Sequence, residues 1–172
     1  AQAILDFAEQ LAEFASAKKA LEETIQAGMA AKGALEQVRD ELKSAQQWGN
    51  LGLIAGGIVV TAVKHARIDV AKHRAQAAQR LLRRFQEELA DVGQNLQVAL
   101  DIGGLSAFAD YFFDGLIADF VVQSRIQKAT SVCAAAISTV TGAIDACRTR
   151  LAEVEKSIVA VTEQRRQFVE QA

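Results

Sequence analysis

The chain has 172 residues, no proline, and a formal net charge of −2 from 19 Lys and Arg against 21 Asp and Glu. That balance excludes a polyanion-coating protein, which needs an excess of Lys and Arg for phosphate, and the length allows one domain with a real core. Half the residues are apolar, at 51%, but only 6% are aromatic, a mixture typical of long helices, and without proline only glycine is left to end one.

In the first segment Phe7, Phe14, Leu21, Leu35 and Leu42 keep a seven-residue spacing, supported by Leu11, Ile25, Val38 and Ala45. This predicts an amphipathic helix over about residues 2–46. It is mildly acidic, with Glu9, Glu13, Glu22, Glu23, Glu36, Asp40 and Glu41. Gly49, Gly52, Gly56 and Gly57 are expected to form the turn that follows.

Ser44 to Val63 contains no charged residue. Its apolar part, Leu51 to Val63, is shorter than the roughly 20 residues that span a bilayer as a helix. Gly52 and Gly56 form a GxxxG step that permits close helix contact, and Trp48 stands at the polar end, as an interfacial aromatic does. A glycine-rich turn leading into a buried helix start has the same composition. The functional alternative is an exposed tip of Trp48, Leu51, Leu53, Ile54, Gly56, Gly57 and Ile58 that meets a membrane or a partner.

A second helix is predicted over 58–92, where Ile68, Ala75, Leu82 and Leu89 alternate with Ala71, Ala78, Phe85 and Val92. From Lys64 to Arg84, the bases Lys64, Arg67, Lys72, Arg74, Arg80, Arg83 and Arg84 stand against the single acid Asp69. Two roles fit this charge: pairing within the chain that sets helix register, and contact of the apolar tip and its basic neighbour with anionic lipid. His65, Asp69 and His73 share one face, but eight helical residues separate the histidines by about 12 Å, too far to ligate one ion. A simple hairpin register would bring His65 near Glu36 and Cys133. Helix-surface salt bridging accounts for these residues, and no metal is expected.

Gly93, Gly103 and Gly104 are expected to bracket the second turn, with a third helix over 105–170. It begins with Leu105, Phe108, Tyr111, Phe112, Phe113, Leu116, Ile117 and Phe120, a bulky core layer in which Asp110, Asp114 and Asp119 argue against membrane burial. Arg83 and Arg84 are expected near Asp110 and Asp114. Ile126, Cys133, Val140, Cys147, Val154, Val161 and Phe168 then recur every seven residues, with Ile137, Ile144, Leu151 and Ile158 between them. Such a helix outruns the second one. Either it breaks near Gly115 or Gly142, or a second chain covers Leu151 to Phe168.

Cys133 and Cys147 lie about 21 Å apart along that helix, too far for a disulfide, and read as apolar seam residues of a reducing compartment. No basic-then-apolar leader opens the chain, so a cytoplasmic location is expected, peripheral at the membrane if the tip binds lipid. There is no nucleophile motif, no CxxC, and no Lys-Ser/Thr after Gly56 and Gly57 to make a phosphate loop. No catalytic residue and no cofactor are expected.

Trp48 to Val92 combines a tryptophan-glycine turn, a double glycine, a Lys64-His65 step and an Arg-Phe…Glu-Leu…Asp-Val run, and Phe108 to Leu116 reads FADYFFDGL. This pattern resembles a group of bacterial helical proteins with no assigned function. The resemblance implies a bacterial source and singles out Trp48, Gly56, Gly57, Lys64, His65, Asp69, Phe108, Asp110, Tyr111 and Asp114.

The expectation is an all-α single domain spanning residues 1–172, three long amphipathic helices in an up-down-up, coiled-coil-like bundle. The function expected is a non-enzymatic scaffold or interaction protein that self-associates through its C-terminal seam or binds another helical protein. The alternative is a membrane-active protein that uses segment 48–63 and the adjacent basic helix on anionic lipid. Nucleic acid is not expected as a partner.

Overall fold

The computed structural model describes residues 2–55, 58–96 and 123–171, with the backbone alone at 48–55, 58–65, 67, 68, 95, 96 and 123–125. Among the described residues all but Gln171 are α-helical. Helix α1 runs over Gln2–Ala55, α2 over Ile58–Leu96 and α3 over Gln123–Glu170. The chain is therefore all-α, with three long helices and no strand among those residues.

Two helices run further than glycine placement suggested. Gly49 and Gly52 lie inside α1, which continues to Ala55 rather than ending near residue 46. Gly93 lies inside α2, which ends at Leu96, and α3 passes Gly142 unbroken. A helical glycine costs about 1 kcal/mol relative to alanine, and that alone does not stop a helix held by its neighbours along its length. Gly103, Gly104, Gly115 and the expected helix start at 105 lie outside the described residues.

Cross-helix contacts fix the direction of each helix. Between α1 and α2, Gly28 meets Phe85. The Thr24 hydroxyl donates to the Ala20 carbonyl at 2.8 Å and lies 3.5 Å from that of Glu88. Arg74 donates to Gln37 at 3.2 Å and pairs with Glu41 at 3.3 Å. Between α1 and α3, the Cys133 thiol donates to the Leu35 carbonyl at 3.2 Å and Ile144 meets Gly28. Further along, Lys18 donates to Glu155 at 2.8 Å, and the Phe7 and Phe168 rings meet edge-on at 6.1 Å. Moving up α1 means moving down both other helices.

Helix α1 is thus the spine, antiparallel to α2 and to α3. The first two helices run up and down as expected. The third is revised: α3 shares the direction of α2, because its C-terminal end lies against the N-terminal end of α1.

This arrangement also resolves the length mismatch. Helix α2 ends level with about residue 17 of α1, and beyond it, among the described residues, α1 and α3 continue as a two-helix arm. There α1 itself covers the C-terminal seam: Val154 and Val161 are buried, Leu151 and Ile158 half-buried. Of the alternatives, a break at Gly142 does not occur, Gly115 lies outside the described residues, and covering this stripe does not require a second chain.

The core lies where all three helices meet. Leu21, Leu35, Val38, Leu42, Leu82, Phe85, Leu89, Ile126 and Val140 are fully buried, each contributing about 1.5–3 kcal/mol through loss of apolar surface from water. Gly28 marks a close approach. A Cβ there would stand 2.7 Å from both Ile144 Cγ1 and Phe85 Cε2, so only a bare backbone admits both side chains.

Candidate functional site

The α1–α2 hairpin end carries most of the candidate residues. Helix α1 runs to Ala55 and α2 starts at Ile58. Those two ends and the Gly28–Phe85 contact bracket one register along the antiparallel pair. Position 48 of α1 therefore lies level with positions 64 and 65 of α2. Trp48, Leu51, Leu53 and Ile54 occupy the last two turns of α1, Ile58 opens α2, and Lys64 and His65 follow in its second turn. Gly56 and Gly57 lie outside the described residues, as do Asp110, Tyr111 and Asp114. The expected approach of Arg83 and Arg84 to Asp110 and Asp114 falls outside them for the same reason.

One expected constellation is not assembled. His65 was placed near Glu36 and Cys133 by a turn centred close to residue 50. Helix α1 runs on to Ala55 and α2 begins at Ile58, which shifts the register, and Arg74 is the α2 residue that meets Gln37 and Glu41. His65 is nine residues away, about 14 Å along the helix. Asp69 and His73 are exposed on α2. Among the described residues no three His, Cys, Asp or Glu side chains gather as a metal site would need.

The cysteines are seam residues. Burial pushes the Cys133 thiol up to about 12 and that of Cys147 up to about 11, so both stay protonated near neutral pH and neither has the thiolate of a nucleophile.

Where side chains are described, ion pairs cross between helices at two places, and others join neighbours on one helix. Arg74–Glu41 joins α1 to α2, and Lys18–Glu155 joins α1 to α3. The Glu155 carboxylate, accepting its hydrogen bond, holds the Lys18 ammonium above its ordinary value. Arg80, Arg83 and Arg84 remain exposed, with Arg84 reaching Glu88 at 4.0 Å on its own helix.

Where α2 ends, a groove of about 710 Å³ opens between it and α1, lined by Glu13, Ser16, Ala17, Ala20, Glu23, Glu88, Asp91 and Val92. Sequence patterning did not single it out. Its signal is a change of face: the α1 stripe that meets α2 runs Thr24, Ala20, Ala17, Glu13 and continues as Glu9, Asp6 and Gln2. That stripe turns polar where its neighbour stops.

Within Ile126–Glu170 an 18-residue window reaches a mean hydropathy of 1.3, the length and composition of a membrane span. Its helix carries Cys133, Val140, Ile144 and Cys147, all buried in the bundle, and a core helix passes the same test. Comparison with protein-family models, with curated proteins and with solved structures gives no match.

Proposed function

We propose that the chain is a non-enzymatic helical interaction protein that associates with a second copy of itself through its two-helix arm. One observation supports this most directly. Among the described residues the rod past the end of α2 is two helices wide, and Ile4, Leu5, Val159, Phe168 and Val169 are exposed on it. Two helices bury a single seam between them, so apolar side chains on their other faces stay in water unless another surface covers them. The arm of α1 exposes Asp6, Glu9 and Glu13, while the arm of α3 exposes Lys156, Arg165 and Arg166 beside Glu153, Glu155 and Glu170, so a two-fold arrangement can pair the α1 carboxylates with bases of a second copy. The surface proposed differs from the Leu151 to Phe168 seam, whose inner side α1 occupies. Light scattering across a concentration series tests this: a dimer that Leu5→Lys with Val159→Lys converts to monomer is expected. A wild-type chain that stays monomeric at high concentration contradicts it.

Contact of the hairpin end with an anionic membrane is a second reading, favoured by the register that sets Trp48 and Lys64 at one level. Flotation with anionic and neutral vesicles tests it. Binding that requires anionic lipid and is lost in Ile54→Asp with Ile58→Asp supports it, and no flotation under any condition removes it.

A further inference from the structure

We infer that the second copy docks on one side of the two-helix arm, the side turned away from α2, with α1 of each copy lying on α3 of the other and the two arms pointing the same way. The inference rests on the self-association reading above and gives it a face and a direction.

Helical spacing divides the arm into two unlike sides. Its seam runs through Phe7 and Phe14 of α1 and Val161 and Phe168 of α3. Each residue turns a helix by about 100°, so the residues flanking that seam fall to one side or the other. Helix α2 lies on the side of Glu13, Ala17 and Ala20, which line the groove beside its end. Asp6 and Gln10 continue that side along α1, and Gln164 and Gln167 continue it along α3, all of them exposed. The other side carries Leu5, Ala8, Ala12 and Ala15 from α1 with Val159 and Val169 from α3. There Leu5 is 63% exposed, Val159 69% and Val169 54%, and the three alanines are exposed between them. One side of the arm is therefore polar and the other is an apolar face with low ground at the alanines, which lets another helix pair come close.

Levels along the arm pick the direction. Phe7 meets Phe168 and Lys18 meets Glu155, so Leu5 lies level with Val169, Ala8 with Arg166, Ala12 with Thr162 and Ala15 with Val159. A two-fold axis along the rod turns α1 of each copy onto α3 of the other at the same level. Leu5 then meets Val169, Ala15 meets Val159, and Ala8 takes the aliphatic stem of Arg166. The Arg166 guanidinium pairs with Glu163 and Glu170 on its own helix, and in this arrangement it also comes level with exposed Glu9 of the second copy. A two-fold axis across the arm would instead set α1 on α1 and α3 on α3. That brings Glu9 toward Glu9 and Arg166 toward Arg166, and like charges across an interface oppose it. With the axis along the rod, every pair of neighbouring helices is antiparallel, as in an up-down four-helix bundle.

The experiment uses the full chain, with light scattering across a concentration series and spin labels attached at exposed Ala30→Cys, Cys133 and Cys147 being buried. Ala8→Arg, which sets a second base against Arg166, is expected to weaken the dimer about ten-fold or more. Gln10→Arg, at nearly the same level on the α2 side, is expected to leave it unchanged. Both sites are exposed, so circular dichroism should show full helicity for each. With the axis along the rod the two Ala30 labels lie level and within about 40 Å, whereas an axis across the middle of the arm sets them about 60 Å apart. Equal effects of the two substitutions, or the reverse order, would overturn the face, and labels about 60 Å apart would overturn the direction, while a dimer dispersed by Leu5→Lys with Val159→Lys would still leave association through the arm in place. A wild-type chain that stays monomeric would overturn both the inference and the reading it rests on.

Discussion

Phe85 and Phe168 occupy equivalent seam positions in their helices, yet Phe85 is wholly buried and Phe168 is 42% exposed. The difference is the number of neighbours. Phe85 sits in the three-helix section, over the bare backbone of Gly28 and beside Ile144. Phe168 sits in the arm, where Phe7 covers one edge of its ring. A heptad states which face of a helix meets a partner and leaves open how many partners meet there.

Truncating the two rings is the strongest way to break that comparison. Phe85→Ala should cost about 3–5 kcal/mol and Phe168→Ala under about 1 kcal/mol, read from denaturant midpoints. Equal losses would mean that the two sections bury their seams alike.

The buried thiol of Cys133 gives a pH signature of the three-helix section. Its folded value is raised to about 12, so the unfolded chain loses this proton first as pH rises. The associated stability is complete below about pH 9 and declines from there toward about pH 12. Cys133→Ala should flatten that alkaline decline in a series of denaturant titrations, and an unchanged slope would count against the burial of this thiol.

Glycine offers a smaller and signed test. Gly28→Ala should destabilise by about 1–2 kcal/mol, since strain from overpacking exceeds the gain in helix propensity. Gly33→Ala, with nothing within 4 Å of the added Cβ, should stabilise by up to about 1 kcal/mol. The same sign at both positions would remove Gly28 from its place between Phe85 and Ile144.

The smallest effect belongs to the arm. Lys18→Met removes the exposed pair with Glu155 and should leave the thermal midpoint nearly unchanged, as exposed pairs do. A large drop would make that ion pair a clamp rather than a surface contact.

The seams were legible in the sequence because apolar spacing reports burial. Leu21, Leu35, Leu42, Ala75, Leu82, Leu89, Cys133, Val140 and Cys147 were placed by spacing and are buried. The close approach at Gly28 was legible only as a gap. Between Leu21 and Leu35 the seven-residue series falls on Gly28, and the missing side chain is the space that Phe85 and Ile144 fill.

Helix ends were less legible, because glycine lowers helix propensity without forbidding a helix. Gly49, Gly52 and Gly93 therefore marked turns that the chain does not make. Direction was not legible either. A heptad on α3 fits an antiparallel or a parallel neighbour equally well, and the end of α2 was recorded only in the polar turn of Glu13, Glu9, Asp6 and Gln2. The candidate tip kept its composition and gained a register that sets Trp48 level with Lys64. The expected His65, Glu36 and Cys133 trio depended on a turn some six residues too early.

The direction of α3 along α1 carries the whole arrangement, and one distance tests it. Spin labels at Gln10 and Gln164, both exposed and at one level of the arm, should lie within about 25 Å, given helix axes about 8–10 Å apart. A distance beyond about 50 Å would place the C-terminal end of α3 at the hairpin end of the rod, and the α1 spine, with its two-helix arm, would be wrong.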